Sequence, residues 1–337
     1  MDFTVLLPTR NRPALLQRAL ASVLAQQVDG LEVLVIDDGT TEPFAGPLAA
    51  IKAACDQRVR FLHLLPRARG HGHAHAVNTG AAQARGRYLC FLDDDDEWTD
   101  PQYLACANKI TAGIGPPVDL LFFDQAAFSN GQRLRQTIWI EDLGPLLAQT
   151  RPPEPSGAWR VDAADLLRAR GFCHVNTTIV RRDFFNAVGG FDETNRYECD
   201  RDFYLRAIDR AQVITYLPRI VSRHNIPDPA RRDNVSTLVS DIEKRIFQTT
   251  LLEKAILFSQ QEVVRAFARR HHTYTLKHLA NSLYRNRRYG LAGQYALEAL
   301  PTGFNLRWLA FCCWLGLLAT FDLLRHPKEA ANQTLGG

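Results

Sequence analysis

For its first two thirds the chain sets short apolar blocks between polar turns. Phe3-Thr4-Val5-Leu6-Leu7-Pro8 is apolar, short and stopped by proline, which predicts a buried strand. After the polar turn Thr9-Arg10-Asn11-Arg12-Pro13, Leu15, Leu16, Ala19, Leu20, Val23 and Leu24 recur at helical spacing. Leu31 to Ile36 predicts a second strand running into Asp37-Asp38-Gly39-Thr40, Leu48 to Cys55 a helix, and Val59 to Leu64 a third strand. Ala74 to Ala84 is a small-residue helix closed by Gly86, and Tyr88 to Leu92 is a fourth strand. Strand and helix alternate at a rhythm that implies a mostly parallel sheet with helices on both faces.

Beyond it, Pro101 to Ile110 predicts a helix with Asp100 as N-cap and proline at its first position. Val118 to Asp124 and Leu134 to Ile140 predict strands, with a hairpin turn at Ser129-Asn130-Gly131. A proline-rich loop spans residues 151–157. Val175 to Val180 predicts a strand, Arg182 to Val188 a helix, Asp200 to Arg210 a helix, and Gln212 to Leu217 a last strand. After about Pro229 only helical spacing remains, including a hairpin of Tyr274 to Asn286 and Leu291 to Leu300 around Tyr289-Gly290. That hairpin is similar to a single tetratricopeptide-like unit, and one unit is not an array.

With 337 residues, 46% of them hydrophobic and 23% charged, the chain can bury a large α/β domain and an appendage. A net charge of +4 predicts no nucleic-acid partner. The seven cysteines are scattered and form no CxxC pair, which fits reduced thiols of a cytoplasmic protein. No secretory leader pattern opens the chain, and no run reaches the roughly 20 uninterrupted apolar residues of a spanning helix.

Candidate chemistry gathers at Asp93-Asp94-Asp95-Asp96, where the fourth strand ends in four carboxylates. Adjacent acids repel, and a divalent cation with oxygen ligands would offset that cost. A solvated loop or an aspartate-capped helix start is the alternative. Thr9-Arg10-Asn11 and Asp37-Asp38 end two other strands. In a parallel sheet these ends share one edge, where open α/β sheets bind ligands.

Four segments together resemble the family 2 glycosyltransferases in order and spacing. They are Val5 to Arg12, Val35-Ile36-Asp37-Asp38-Gly39, Phe91 to Asp96, and Gly190-Phe191-Asp192-Glu193 followed by Asp200 to Arg206. The resemblance covers roughly residues 3–225. It implies a GT-A (Rossmann-like) α/β domain over 1–226, with a nucleotide-sugar half (1–100) and an acceptor half (101–226). A helical C-terminal region would occupy 227–337.

The implied reaction is inverting transfer from a nucleotide-diphosphate sugar, UDP-sugars favoured, to a hydroxyl of a glycan or lipid-linked acceptor, in bacterial surface-glycan synthesis. By resemblance Pro8, Thr9, Arg10, Asn11, Asp37 and Asp38 would hold the nucleotide, Asp93 and Asp94 would lie against the donor, and Asp95 with Asp93 would ligate Mn²⁺ or Mg²⁺. His224, after the last core strand, would complete the metal shell or touch the diphosphate. Asp200 would be the base, with Asp202 the competing assignment, although Arg206 at i+4 can pair with Asp202. His174, Asp202 and Trp98 are acceptor-side candidates, and Trp98 and Trp159 could stack on sugar rings or sit in the core.

Two positions depart from the family pattern. The usual Glu before the base is Cys199, and Val77 stands where an Arg that touches the diphosphate is common, while Asn78 remains. His71, His73 and His75 alternate just upstream, and His73 or His75 is the expected replacement donor at a helix start. These departures keep open a non-catalytic nucleotide-sugar or glycan-binding relative. A sugar nucleotidyltransferase is a further alternative, disfavoured because no glycine-rich, basic phosphate loop follows the first strand.

In the tail, seven Lys or Arg and no acid fall between Arg265 and Arg288, and Trp308 to Phe321 is apolar and aromatic. This pairing suits a membrane-associating helix near 305–323, peripheral on the cytoplasmic face of the inner membrane. A tail helix packed on the hairpin is the other expectation.

Overall fold

The computed structural model describes residues 1–325 except 114, 229 and 231–233. The change of character at Pro229 and the flanking side chain of Arg325 lie outside the described residues. The chain forms two units, 1–234 and 235–337.

The first unit opens β1(Phe3–Thr9), α1(Pro13–Leu24), β2(Leu31–Asp37), α2(Ala45–Ala54), β3(Val59–His63), α3(His73–Gln83) and β4(Tyr88–Phe91). It continues β5(Glu97–Trp98), α4(Tyr103–Thr111), β6(Leu120–Ser129), β7(Gln132–Arg133), α5(Leu143–Ala148), β8(Trp159–Val161) and α6(Ala163–Leu166). It closes with β9(Thr178–Arg181), α7(Arg182–Val188), α8(Cys199–Arg210) and β10(Ile214–Asn225). The sheet order is β3-β2-β1-β4-β9-β6-β10-β5. The first four strands are parallel, as are β6 and β10, and β9 is antiparallel to both β4 and β6. This is the mostly parallel sheet expected from the alternation, in the GT-A arrangement that the resemblance implies.

The apolar blocks become strands because both faces are covered. All seven residues of β2 are buried, and only Pro8 of β1 is partly open. Leu16, Ala19, Leu20 and Val23 form the buried stripe of α1 and join Val5, Leu7, Val33 and Val35 in the main core. Strand order reverses about β1, so β1 and β4 diverge to neighbours on opposite sides and leave a crevice at their carboxyl ends.

Four expectations are corrected. Helix α4 begins at Tyr103, not Pro101, because Asp100 Oδ1 accepts from Gln102 N at 3.0 Å and the Pro101 carbonyl accepts from Gln27 N at 2.9 Å. The turn at Asn130-Gly131 forms, but residues 134–140 are a loop, since β7 ends after two residues. Val175–Thr177 is a 3-10 turn capped by His174, so β9 starts at Thr178. Strand β10 runs on to Asn225; Pro218 falls where the ladder shifts register between Leu217 and Ile220, so its missing N–H breaks no regular pairing.

The second unit contains α9(Val235–Leu238), α10(Asp241–Phe258), α11(Glu262–Arg285), α12(Tyr289–Glu298) and α13(Leu306–Arg325). Ser240 and Glu243 form a capping box at α10. Leu279, Ala280, Leu283, Ala292, Ala296, Cys312 and Leu315 make its core, and Trp308 Nε1 donates to Ala296 O at 2.9 Å. Residues 306–324 are long and apolar enough to cross a membrane by length and composition, with Arg307 and Asp322 interrupting the apolar run.

Candidate functional site

The acid run leaves β4 at the crevice, and each carboxylate has a different setting. Asp93 Oδ1 accepts from His73 Nε2 at 3.1 Å, and its backbone N–H donates to Asn176 Oδ1 at 3.0 Å. Burial alone would raise the Asp93 carboxyl; the hydrogen bond and charge of His73, with His174 and His224 behind it, hold it below the usual range. His73 in turn is held well above its ordinary value: burial opposes its charge, but Asp93 and Cys199 outweigh it. Cys199 Sγ lies 3.7 Å from His73 Nδ1, so the cysteine that departs from the family pattern contacts one of the expected replacement donors.

Asp94 accepts from Thr9 Oγ1 at 2.8 Å and from Arg12 Nη1 at 3.0 Å. It ties the turn after β1 to the acid run and is 6% exposed. Asp95 faces Arg12 at 3.3 Å and Asn234 Nδ2 at 2.9 Å. Burial, then the charges of Asp96, Asp94 and Asp93, push its carboxyl up to about 7. Asp96 is fully engaged: Oδ2 accepts from His224 Nδ1 at 2.7 Å and from Asn176 Nδ2, and Oδ1 from Asn225 N at 2.7 Å.

A divalent cation fits this cluster on two grounds. Three neighbouring carboxylates raise the cost of ionising Asp95, which a bound cation would remove. His224 gives Nδ1 to a buried carboxylate, the arrangement that leaves Nε2 aimed as a ligand. Among the described residues the converging donor atoms are those of Asp96, His174 and His224, all within 4.8 Å of one another. This set differs from the expected Asp93, Asp95 and His224, because the Asp95 carboxylate is turned to Arg12 and Asn234.

At the neighbouring strand ends, Pro8 and Thr9 end β1 beside Ile36 and Asp37. Asp37 accepts from Thr40 N at 2.9 Å and from His63 Nδ1 at 3.0 Å. Asn11, with φ 56°, binds Thr40 and Thr41 across the turn. Arg10 donates to the carbonyls of Arg67 and Ala68. Asp38 accepts from the backbone N–H groups of His71 at 2.7 Å and Gly72 at 3.0 Å, and so sets the entry to α3. Gly70 has φ +65°, and a Cβ there would stand 2.4 Å from Asp38 Oδ2, so this loop requires glycine. His75 pairs with Glu193 at 2.7 Å and stacks on His71. Asn78 is spent on Phe191 and Glu193, binding α3 to the Gly190-Phe191-Asp192-Glu193 segment. Val77 is buried with the core-facing residues of α3.

Asp200 stands in the first turn of α8, 17% exposed. Burial, then the charge of Glu198, push its carboxyl up to about 6. Behind it lies a small pocket lined by Leu120, Phe122, Val175, Phe203, Tyr204 and Ala207, among others. His174 Nε2 lies 3.8 Å from Asp200 Oδ2 and 3.8 Å from Asp93 Oδ2. His174 Nδ1 accepts from Asn176 N, and burial, then the His224 charge, lower its pKa to about 3, so it is neutral.

Three acceptor-side candidates are placed elsewhere or otherwise engaged. Asp202 is 3% exposed and pairs with Arg206 at 2.6 Å; Arg206 also binds the carbonyls of Val188 and Gly190. Trp98 is 4% exposed, packs edge-on against Tyr103 and donates to Asn176 O at 2.9 Å, which makes it a core residue. Trp159 stacks on Tyr216 and donates to Arg151 O, also in the core.

Two residues at the site had no role assigned from the sequence. Asn176, 0% exposed, joins Asp93, Asp96 and Trp98; a polar residue interrupting an apolar stretch is its only sequence signal. Trp139, in the 134–140 loop, packs 4.6 Å from His174 and 5.2 Å from His224. Gly171 seats that loop: a Cβ there would meet Ile138 O at 2.2 Å.

The sequence profile of Glycosyl transferase family 2 matches residues 4–134. The chain is 26% identical over 226 residues to a PGL/p-HBAD biosynthesis glycosyltransferase of Mycobacterium bovis, covering 66% of this chain and 76% of that one. Its fold matches S. aureus TarS 1–349 in complex with UDP-GlcNAc at a TM-score of 0.62 and 18% identity, over 99% of this chain and 92% of that one. Against a longer TarS chain it covers 53% of the length. It also matches the mannosyltransferase PcManGT from Pyrobaculum calidifontis in complex with GDP-Man and Mn²⁺, with a TM-score of 0.57 and 17% identity over 99% and 83% of the two chains. The four motifs, the GT-A sheet and the profile match over residues 4–134 agree, and together they support a family 2 glycosyltransferase.

Proposed function

We propose that this glycosyltransferase transfers a sugar with inversion from a nucleotide-diphosphate sugar, UDP-sugars favoured, to a hydroxyl of a glycan or lipid-linked acceptor in surface-glycan synthesis. The observation that carries the proposal is the shared approach of Asp200 and Asp93 to His174, at 3.8 Å each. A candidate base and a candidate donor-binding acid thus approach the same ring nitrogen of one neutral imidazole.

Residues 1–100 bind the donor and 101–226 the acceptor. Pro8, Thr9, Asp37 and Asp38 frame the nucleotide pocket, and the His73 imidazolium supplies the positive charge that Val77 lacks. Asp95, Asp93 and His224 Nε2 would hold Mn²⁺ or Mg²⁺ once the Asp95 carboxylate turns from Arg12 and Asn234, with Asp96 orienting His224 through Nδ1. When bound, the cation stabilises charge on the departing diphosphate. Asp200 takes the acceptor hydroxyl proton as that oxygen bonds to the anomeric carbon and the bond from that carbon to the diphosphate breaks. The leaving nucleoside diphosphate carries away the bonding electrons.

Relatives that bear PGL/p-HBAD biosynthesis in their names, and neighbours solved with UDP-GlcNAc or GDP-Man, support a nucleotide-sugar donor. A thermal-shift screen of UDP- and GDP-sugars with Mn²⁺ tests the reading, since the donor raises apparent stability by mass action. A donor that binds and is neither hydrolysed nor transferred, with Mn²⁺ present, would favour the non-catalytic relative.

The C-terminal unit is proposed to rest on a cytoplasmic anionic membrane surface. Cys312 and Leu315 of α13 pack into its core, while Trp314, Leu317, Phe321 and Leu324 of the same helix are exposed. One covered face and one bare apolar face suit a helix lying in the interface, with the basic stretch 265–288 favouring anionic lipid. Flotation with phosphatidylglycerol vesicles that is equal with and without residues 304–337 would reject it.

A further inference from the structure

We propose that Glu253, His272 and Glu298 form a second, separate cation site that takes Zn²⁺ or a similar nitrogen-binding divalent metal and ties three helices of the C-terminal unit together. Glu253 lies on α10, His272 on α11 and Glu298 on α12. One donor atom from each comes within 4.8 Å of the other two.

The geometry at His272 separates a metal site from an ordinary ion pair. His272 Nε2 is inaccessible to solvent and has no hydrogen-bond partner among the described residues. It stands 3.5 Å from Glu253 Oε1, while its side chain is 15% exposed and that of Glu253 is 49% exposed. A hydrogen bond between imidazole and carboxylate would close to about 2.7–3.2 Å. Two ligands bound tetrahedrally to zinc at their usual bond lengths stand about 3.4 Å apart. The observed separation is that of two neighbouring ligands, and the nitrogen that would otherwise be left buried and unpaired is the one facing the carboxylates.

The donor set selects the metal. Mg²⁺ and Ca²⁺ take oxygen ligands, whereas imidazole nitrogen with two carboxylates suits zinc and its neighbours. Two glutamates on partly or fully open faces can rotate toward the fixed imidazole and leave a fourth position to water. No residue of this trio belongs to the acid run or the histidines of the first unit. Because the ligands come from three successive helices, metal binding adds directly to the stability of their packing.

The test uses the full chain, stripped of metal with chelator and titrated with Zn²⁺ alone by calorimetry, with thermal unfolding followed in parallel. Wild type is expected to bind one more Zn²⁺ equivalent than Glu253→Gln, Glu298→Gln or His272→Gln. Each variant should bind at that site at least about ten-fold more weakly and lose the zinc-dependent rise in Tm. The two glutamate variants change open side chains, so they remain informative if His272→Gln does not fold. Mg²⁺ should produce no such difference. Zinc attracted to His71, His73 and His75 would appear equally in all four proteins and cancels in the comparison. Equal zinc stoichiometry and equal Tm shifts in wild type and both glutamate variants would overturn the proposal and leave Glu253 and His272 as an ion pair.

Discussion

His224 Nδ1 lies 2.7 Å from Asp96 Oδ2, although 128 positions separate the two residues. Asp96 is buried with a second oxygen on Asn225 N, so it is committed to holding the end of β10 against the acid run. The family resemblance assigned roles to Asp93, Asp94 and Asp95 and none to Asp96. The geometry gives Asp96 a larger part, because it fixes which ring nitrogen of His224 faces the site. Asp96→Asn keeps one acceptor oxygen and loses the charge that orients the ring. It should weaken Mn²⁺ binding by about 10–100-fold, with little change in donor affinity measured without metal. Mn²⁺ titration followed by electron paramagnetic resonance checks this.

Asp200 makes the pH dependence specific. Burial and Glu198 raise its carboxyl to about 6, and a base must be unprotonated to accept the acceptor proton. Below that value the protonated form dominates and kcat/KM falls; above it the rate levels off. The acid limb of the profile should therefore break near pH 6. Asp200→Asn should lower turnover by about 10²–10⁴-fold and abolish that limb while donor binding persists. Near-normal turnover in this variant would exclude the role.

Residues 1–100 were largely legible in the sequence because each strand there is a continuous apolar block covered on both faces. The polar residues that end those blocks must then lie along one edge. Residues 101–226 were less legible. Asn176 gains its role from Asp93, Asp96 and Trp98, about 80 positions away, and no local pattern encodes such a hub. Leu134 to Ile140 has the composition of a strand, yet β7 stops at Arg133 and Trp139 turns onto two histidines instead. Pro218 looked like the end of a strand, and the register shift that accommodates it carries β10 on to His224. Trp98 looked like a sugar platform because composition cannot tell a core tryptophan from one at a rim.

Trp139 replaces Trp98 as the aromatic to test. Its ring packs on His174 and His224, and His174 is the residue that Asp200 approaches. An acceptor sugar reaching Asp200 would pass beside that ring. Trp139→Ala should raise the acceptor KM roughly ten-fold, equivalent to about 1.4 kcal/mol, with the donor Kd unchanged. Trp139→Phe should recover most of the loss. Steady-state kinetics with each substrate varied in turn separates the two effects, and an equal loss of donor affinity would show that the ring acts only on the fold.

Asp124 gives a stability prediction independent of turnover. It is 5% exposed on β6 and accepts from Tyr216 Oη at 2.8 Å. Burial raises its carboxyl to about 7, with the Tyr216 hydrogen bond opposing the rise. The folded state therefore holds a proton that the unfolded chain releases near pH 4. Between those values the native protein binds more protons than the unfolded one, so this group makes stability fall as pH rises. The full effect above pH 7 has a ceiling of about 4 kcal/mol. Asp124→Asn keeps an acceptor for Tyr216 and removes the ionisation. Its Tm relative to wild type should climb by several degrees from pH 4 to pH 8, whatever the fixed cost of burying the amide. Thermal unfolding of both proteins across that range measures the slope, and parallel curves would mean that Asp124 ionises in the folded chain as readily as in water.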